Sequence, residues 1–208
     1  MPTPHARQQR VVRDRDGVAR HKSVLRTVTQ AITDLSRHYP YRTLSRRLVA
    51  DRAGLAYLDV CGHFASIDAL IAETCLYRLR ESPLVIEFHE APRERIGAQF
   101  RQLIMLLACE PRYGTACVRA LMSKSESVQP IRKAIDVEVH RRVSAALGSG
   151  AWPEVVATMH LALLGAVTQA AAGNTTLDVI GDQLDRLVDV LLPTNDGLSF
   201  SSAVARDC

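Results

Sequence analysis

The sequence lacks paired cysteines, although it contains five cysteines in all. None of them belongs to a CxxC pair; they are Cys61, Cys75, Cys109, Cys117 and Cys208. An odd number of widely spaced cysteines argues against a disulfide scaffold or a zinc site and is typical of a reducing cytosol. The sequence also lacks any apolar run long enough to span a membrane, and the N-terminal MPTPHARQQR has no apolar signal core. We therefore expect a cytoplasmic protein with no membrane partner.

Motifs of the common enzyme classes are missing as well. The sequence contains no GxSxG, no glycine-rich phosphate loop and no HExxH, and its seven histidines are scattered. We therefore expect a protein that is not an enzyme, with no catalytic residues, no metal and no cofactor. An all-helical enzyme is an alternative that no group of residues supports.

What the sequence does have is a basic N-terminal third. Residues 1–66 hold 12 Lys and Arg against 5 Asp and Glu, a balance of +7, whereas residues 67–208 hold 14 against 17, a balance of −3. With 47% hydrophobic and 23% charged residues, the 208-residue chain has a globular composition. A basic end on a slightly acidic body suits binding to phosphates. A solvated basic tail would give the same charge balance.

The first 38 residues divide into a polar segment and an apolar helical pattern. Residues 1–17 are rich in arginine and poor in apolar residues, which predicts a disordered basic arm. Residues 18–38 carry apolar residues at three- and four-residue steps and predict a helix. The segment Tyr39-Pro40-Tyr41 ends this helix, because proline lacks an amide hydrogen and disfavours helical backbone in the preceding residue.

The segment 43–64, TLSRRLVADRAGLAYLDVCGHF, predicts two short helices joined by a tight turn. Apolar residues give each helix one buried face, and Gly54 in the turn can adopt the positive φ that ends a helix abruptly. Two helices that cross over a short turn containing glycine form a helix-turn-helix, whose second helix can enter the DNA major groove. By spacing alone, an ordinary pair of antiparallel helices fits equally well.

The rest of the chain shows helical periodicity. Apolar stripes predict a connecting helix after residue 66 and further helices over 92–109, 111–121, 128–147, 152–173 and 177–192. The segment LVIEFHEA (84–91) is predicted as one more helical turn, since no second strand is available to pair with it. The predicted fold is all-α, and its organisation is a basic arm (1–17), a three-helix unit with the helix-turn-helix (18–66), a helical bundle (67–193) and a tail (194–208).

Several residues of the predicted bundle fall where its helices can surround a small-molecule cavity. Arg101 would supply a polar contact, and His140 and His160 lie on apolar helices, where a hydrogen-bonded histidine is more common than a metal ligand. Each apolar member also fits an ordinary core position, because packing itself demands apolar stripes. The candidate pocket residues are Phe100, Arg101, Ile104, Met105, Tyr113, Cys117, Leu121, His140, Met159, His160 and Leu163.

The last two predicted helices carry enough apolar surface for a dimer interface. Residues 152–173 have almost no charge, and residues 177–192 place leucine and isoleucine at alternating three- and four-residue steps. Such a pair suits a four-helix interface between two copies of the chain, and it can equally be buried within one chain. The candidate interface residues are Leu163, Val167, Leu177, Ile180, Leu184, Leu187 and Leu191.

Three short motifs resemble those of a known family. VADRAGL (49–55), HFAS (63–66) and DAL (68–70) resemble the DNA-binding domain of the TetR (tetracycline-repressor) family. The resemblance implies a homodimeric transcriptional regulator, a repressor that binds a palindromic double-stranded DNA operator. It also implies release by a small effector, for which the candidate pocket indicates apolar character. The implied DNA-binding residues are Ser45, Arg46, Arg47, Ala56, Tyr57, Leu58, Asp59, Cys61, Gly62 and His63.

The sequence departs from the family pattern at four positions. Ala56 replaces the serine that caps the second helix, and Asp59 replaces a threonine. Cys61 and Ile67 replace a tyrosine and a lysine that contact phosphate. Loss of phosphate contacts weakens binding to all DNA sequences. The arginines that can replace the lost charge are Arg42, Arg46, Arg47 and Arg52. The second hypothesis is therefore a small-molecule-binding or protein-interaction module on the same fold, with weakened or lost DNA recognition.

Overall fold

A computed structural model of the chain describes residues 4–172 and 175–192. Within these ranges the chain forms nine α-helices, two short 3-10 helices and no β-strand, so the predicted all-α fold is confirmed. The α-helices are α1 (Pro4–His38), α2 (Arg46–Ala53), α3 (Tyr57–His63), α4 (Ile67–Glu81), α5 (Pro92–Ala108), α6 (Pro111–Leu121), α7 (Gln129–Leu147), α8 (Pro153–Ala171) and α9 (Leu177–Leu191). The 3-10 helices are Tyr41–Thr43 and Glu126–Val128. The predicted tail, 194–208, lies outside the described residues.

Most helix boundaries fall close to their predicted positions, because proline, serine and glycine mark them. Proline occupies one of the first two positions of α5, α6, α7 and α8, where its missing amide hydrogen is not needed. Ser45 and Ser66 cap α2 and α4, each by accepting a hydrogen bond from the amide three residues further on. Gly148 ends α7 with a φ of 86°.

Two segments differ from their predictions. Helix α1 begins at Pro4, so residues 4–17 are helical where a disordered arm was expected; arginine, glutamine and alanine there are good helix formers. Residues 82–91 form no helix, so the prediction of a helical turn at 84–91 is wrong. Ser82 takes extended backbone before Pro83, and Gln102 donates a hydrogen bond to the Pro83 carbonyl at 2.6 Å.

The helices enclose two main groups of buried apolar residues. The first group joins α1, α2, α3 and α4 with α6, and it includes Val28, Phe64 and Ala116. The second joins the end of α4 with α5, α7, α8 and α9. Helix α6 therefore belongs to the core beneath the α2–α3 pair, although it lies beyond α4 in the chain. The first core contains residues from both sides of residue 66. A domain boundary at this residue therefore remains a prediction.

Hydrogen bonds at the N-terminus of α4 join the two parts of the molecule. Asp68 accepts hydrogen bonds from the hydroxyls of Tyr41 and Ser123, each at 2.5 Å. The hydroxyl oxygens of Ser66 and Ser127 lie 3.1 Å apart. Since Tyr41 precedes α2 and Ser123 follows α6, one carboxylate connects the α2–α3 unit to the loop at the end of α6.

Candidate functional site

Helices α2 and α3 cross over a turn at Gly54. This residue has a φ of 64°, in the left-handed region that glycine tolerates. The amide of Leu55 donates a hydrogen bond back to the Ala50 carbonyl at 3.0 Å, which closes the last turn of α2. Val49 and Val60 are fully buried beneath the turn. The buried faces of both helices thus point to α1, and the opposite face of α3 remains open.

The open face of α3 carries most of the residues predicted for DNA contact. Leu58 is 81% exposed and Tyr57 is 41% exposed. Ala56, Asp59 and Gly62 are exposed as well. This face combines an aromatic ring, an aliphatic side chain and a carboxylate within less than two helical turns.

The inner side of α3 is held to α1 and α4. Within α3, the phenol of Tyr57 on the open face interacts with the half-buried Cys61 thiol, which raises the pKa of Tyr57. His63 is also half-buried, and its Nδ1 lies 3.2 Å from Nδ1 of His21 on α1. The Nε2 atom of His21 lies 3.1 Å from a carboxylate oxygen of Glu73 on α4. Burial and the nearby His21 lower the pKa of His63. A row of titratable side chains therefore connects α3 to both neighbouring helices.

Two of the arginines expected to bind phosphate have protein partners. Arg46 donates a hydrogen bond to the Phe64 carbonyl at 2.8 Å and so anchors the C-terminal end of α3. Arg52 donates to a carboxylate oxygen of Asp34 on α1 at 3.0 Å. These contacts fix the orientation of α2 and α3 relative to α1. The Asp34 carboxylate also offsets the charge that Arg52 can offer to DNA.

Other polar groups remain available beside α3. Arg42 and Arg47 are exposed, and the guanidinium carbon of Arg47 lies 5.8 Å from the centroid of the Tyr57 ring. The Ser45 oxygen accepts a hydrogen bond from the Leu48 amide at 3.2 Å, and the Ser45 hydroxyl hydrogen can still be donated to a phosphate. The basic edge of this surface therefore lies on the α2 side of α3.

A cavity of about 100 Å³ lies among helices α4 to α8. Four of the predicted pocket residues line it: Tyr113, Cys117, Leu121 and Leu163. Cys75 and Arg78 of α4 line it too, and the sequence-based prediction missed both. The sequence does not show whether a cysteine or an arginine on a connecting helix faces a cavity or solvent.

Four more predicted pocket residues lie away from this cavity. Phe100 and Met159 are fully buried among the core side chains of α5, α7, α8 and α9. Ile104 lines a separate cavity of about 70 Å³ beside α6. Met105 is 53% exposed. These residues lie on the helices predicted for the pocket but on faces turned away from it.

The remaining polar pocket predictions are also corrected. Arg101 lies on the surface, and its Nη1 is 3.4 Å from a carboxylate oxygen of Asp185 on α9. The His160 ring is buried, with its Nε2 3.2 Å from a carboxylate oxygen of Asp136, and burial lowers its pKa. His140 is exposed, and its ring packs edge-on against His160. None of these three residues lines the cavity among α4 to α8.

The residues predicted for dimer contact pack within the chain itself. Leu163, Ile180 and Leu184 are almost fully buried in the second core. Val167, Leu187 and Leu191 pack against the same core, and the side chain of Leu177 is not among those described. Of the two alternatives, the structure of the single chain has the leucine seam of α9 buried within the chain, against α5 and α8.

Different apolar residues of α8 and α9 are exposed. Leu161 is 69% exposed, Val190 is 75% exposed and Val179 is 44% exposed. Gly165 is exposed one turn after Leu161. Sequence periodicity reports which face of a helix is apolar, but it does not report on a second, narrower apolar face.

The described part of the chain contains no group of three or more metal-ligating side chains that could hold an ion. No helix in that part is long and apolar enough to cross a membrane.

The fold and its open α3 face define a class: helical proteins with an N-terminal helix-turn-helix and a cavity in the helices that follow. No family model matches the chain. HTH-type transcriptional regulators of Mycobacterium tuberculosis and Mycobacterium bovis are each 35% identical to it over 191 residues, or 91% of this chain and 87% of theirs. The chain belongs to the same family of HTH-type transcriptional regulators.

Solved structures show the same architecture. A TetR transcriptional regulator from Rhodococcus sp. RHA1 aligns with a TM-score of 0.69 at 18% identity, over 83% of this chain and 96% of that one. A TetR-like regulator from the same organism aligns with a TM-score of 0.51 at 15% identity, over 81% and 96% of the two chains. The resemblance of the sequence to the TetR family is thereby confirmed.

Proposed function

We propose that this chain is a homodimeric repressor that binds a palindromic DNA operator through α3 and is released by a small effector. The observation that carries the proposal is the open face of α3, held at the Gly54 turn with Tyr57 and Leu58 exposed. In helix-turn-helix proteins the second helix lies in the major groove, with its N-terminal residues at the base edges. Tyr57, Leu58 and Asp59 occupy those positions in α3.

In the proposed complex, the side chains of this face and of the neighbouring α2 edge contact bases and phosphates. The Asp59 carboxylate accepts a hydrogen bond from cytosine N4, and Leu58 makes apolar contact with a thymine methyl group. Arg42 and Arg47 bind phosphates at the edge of the groove, and they partly replace the family contacts that Cys61 lacks.

A DNA-binding titration tests this assignment. The full chain should bind DNA from upstream of its own gene more tightly than shuffled DNA of equal length, and more weakly at about 200 mM than at about 50 mM salt. Arg47→Ala should weaken binding to both DNAs and lower the salt slope by about one. Arg80→Ala, which removes an exposed arginine from α4, is the matched control and should leave both quantities unchanged. Binding with neither salt sensitivity nor sequence preference would contradict the proposal.

The proposed dimer uses the exposed apolar residues of α8 and α9. Leu161 and Val190 are large, apolar and more than two-thirds exposed, and a second copy of the chain would bury them. Light scattering should report a dimer for the unaltered chain and a monomer for Leu161→Glu with Val190→Glu. Val137→Glu, at a 59% exposed position on α7, is the control and should remain dimeric.

The proposed effector site is the cavity among α4 to α8. Tyr113 and Cys117 line this cavity and also belong to the apolar core beneath α2 and α3. A ligand that displaces α6 therefore changes the packing on which the DNA-binding helices rest. The ligand must bind one arrangement of α6 more tightly than the other, since equal affinity would shift nothing.

The alternative function, a module that has lost DNA recognition, is favoured by one observation. The side chain of Ala56 makes no cap hydrogen bond to α3, and Asp59 in the first turn would repel a nearby phosphate. Restoring the family contacts with Cys61→Tyr and Ile67→Lys separates the two functions. A steep rise in DNA affinity from no measurable binding would favour the alternative, whereas measurable binding by the unaltered chain favours a regulator.

A further inference from the structure

The cavity among α4 to α8 is apolar except at one end. Leu79, Leu103, Val139 and Leu163 are among the side chains that form its walls. At the α4 end, the guanidinium carbon of Arg78 lies 4.8 Å from the centroid of the Tyr113 ring. One face of the Arg78 cation is therefore covered by an aromatic ring instead of water.

The Nη1 atom of Arg78 is buried and has no hydrogen-bond partner among the described residues. The pKa of the nearby Glu110 carboxylate is lowered by its hydrogen bonds with Arg37 on α1 and, less strongly, by the charge of Arg78, but no hydrogen bond joins Glu110 to Arg78 Nη1. The Tyr113 hydroxyl is engaged too, since it donates to the Thr74 hydroxyl at 3.1 Å. Arg78 thus lines the cavity, and one of its N–H donor atoms, Nη1, is buried without a hydrogen-bond partner among the described residues.

We propose that this cavity binds a small monocarboxylate with a ring-sized apolar body, and that the carboxylate accepts a hydrogen bond from Arg78 Nη1. The inference rests on the effector site proposed above and specifies its ligand class. A neutral ligand would leave the cation unpaired, a cation would be repelled by it, and a phosphate dianion would carry more charge than one guanidinium can balance. A cavity of about 150 Å³ holds a benzene molecule, so this cavity, at about 100 Å³, must widen by side-chain movement to admit a single ring.

Benzoate and benzamide form a matched pair of probes, because they share the ring and differ in charge. Calorimetry on the full chain should show that benzoate binds at least roughly tenfold more tightly than benzamide, as expected for a charged hydrogen bond. Arg78→Met should remove this preference, while Arg80→Met, on the same helix but exposed, should retain it. The comparison of the two probes on the unaltered chain keeps the test valid if Arg78→Met does not fold.

Cysteine labelling locates the bound probe. Cys75 lines the cavity, whereas Cys109 is exposed at the end of α5. Benzoate should slow the alkylation of Cys75, measured peptide by peptide with mass spectrometry, and should leave that of Cys109 unchanged. Absence of benzoate binding, equal binding of benzamide, or binding that does not protect Cys75 overturns the inference.

The DNA titration separates this inference from the proposed function. If benzoate binds, protects Cys75 and leaves DNA affinity unchanged, the ligand class is supported and the effector role of the cavity is wrong. If the chain binds its operator but not benzoate, the regulator assignment stands and the ligand class is overturned.

Discussion

Arg142 on α7 is the largest side chain that the described core buries fully, with 1% of the residue exposed. Its Nε donates to Glu138 at 2.8 Å, and its Nη2 donates to the carbonyls of Leu79 and Ser82 at 2.7 and 2.6 Å. These carbonyls end α4, which has no further turn to satisfy them. Arg142 thus holds the C-terminal end of the connecting helix against α7.

Replacement of Arg142 with methionine should destabilise the fold by about 3 kcal/mol, because it leaves the α4 carbonyls unpaired in the interior. The free energy of unfolding in urea measures the loss. Arg141→Met is the matched control, since Arg141 bonds the same Glu138 carboxylate from an exposed position and should cost less than about 1 kcal/mol. Equal losses for the two variants would contradict the proposed role of Arg142.

The lowered pKa of His63 predicts that the fold is less stable at mildly acidic pH. Burial and His21 lower its pKa below the ordinary 6.5, so between the two pKa values the unfolded chain binds more protons than the folded one. The free energy of unfolding should therefore fall as the pH decreases through about 6.5. Urea titrations at about pH 7.5 and about pH 5.5 test this, and His63→Asn should reduce the difference between them. His160, whose pKa is also lowered, acts in the same direction and accounts for part of the remainder.

At the scale of elements, arginines from other helices bind the C-terminal carbonyls of five helices. Arg142 binds the end of α4, and Arg46 binds the end of α3. Arg112 binds the end of α1, Arg132 the end of α6 and Arg95 the end of α7. Only three of the 26 basic residues are lysine. A planar guanidinium can donate to two carbonyls at once, which a lysine ammonium does less well.

The N-terminus of the short helix α3 has no side-chain hydrogen bond to its first amides. Ser45 and Ser66 cap α2 and α4, whereas Ala56 gives α3 no side-chain cap. Ala56→Ser should stabilise the fold by about 1 kcal/mol by supplying an acceptor for the exposed amides of α3. Urea denaturation measures the gain. Ala65→Ser, one residue before an existing cap, should change stability by less than about 0.5 kcal/mol.

The sequence predicts the helices well and their contacts poorly. Pro92, Pro111, Pro153 and Gly148 mark boundaries by local backbone chemistry, which acts over one or two residues. The contact of Arg142 with Leu79 spans 63 residues, and nothing local to Arg142 distinguishes it from an exposed arginine. The prediction of a helical turn at 84–91 is wrong, and the hydrogen bonds within this segment are local: the Glu90 amide donates to the Glu87 carbonyl, and Arg95 donates to the Glu90 carbonyl.

The two candidate sites also differ in how well the sequence predicts them. The open face of α3 follows from motif spacing, since Gly54 fixes where α3 starts and its buried residues fix which side remains exposed. The cavity does not follow, because its position depends on five helices that approach from different parts of the chain. Arg78 and Cys75 were missed for this reason, and Met105 and Arg101 were assigned to a face that lies on the surface.

At the scale of the whole molecule, Asp68 is one of the contacts that join the α2–α3 unit to the rest. Asp68→Ala should release Tyr41 and Ser123 together. Amide hydrogen exchange should then become faster in residues 41–66 and 121–128 and should not change in α9. Asp182→Ala, at an exposed position of α9, is the control and should leave the exchange of residues 41–66 unaltered. Unchanged exchange around Tyr41 in Asp68→Ala would show that packing alone holds the junction.

The place of α6 in the apolar core beneath α2 and α3 limits which segments of this regulator can be exchanged with those of another. A fusion that exchanged the α1–α3 unit for that of another regulator would cut the chain between the third and fourth helices. Here such a cut after residue 66 would separate the α1–α3 unit from Tyr113, Ala116 and Ala120, which complete its apolar core. A chimera should therefore fold only if it carries α4 and α6 of this chain with the first three helices, so that the transferable unit is discontinuous in sequence.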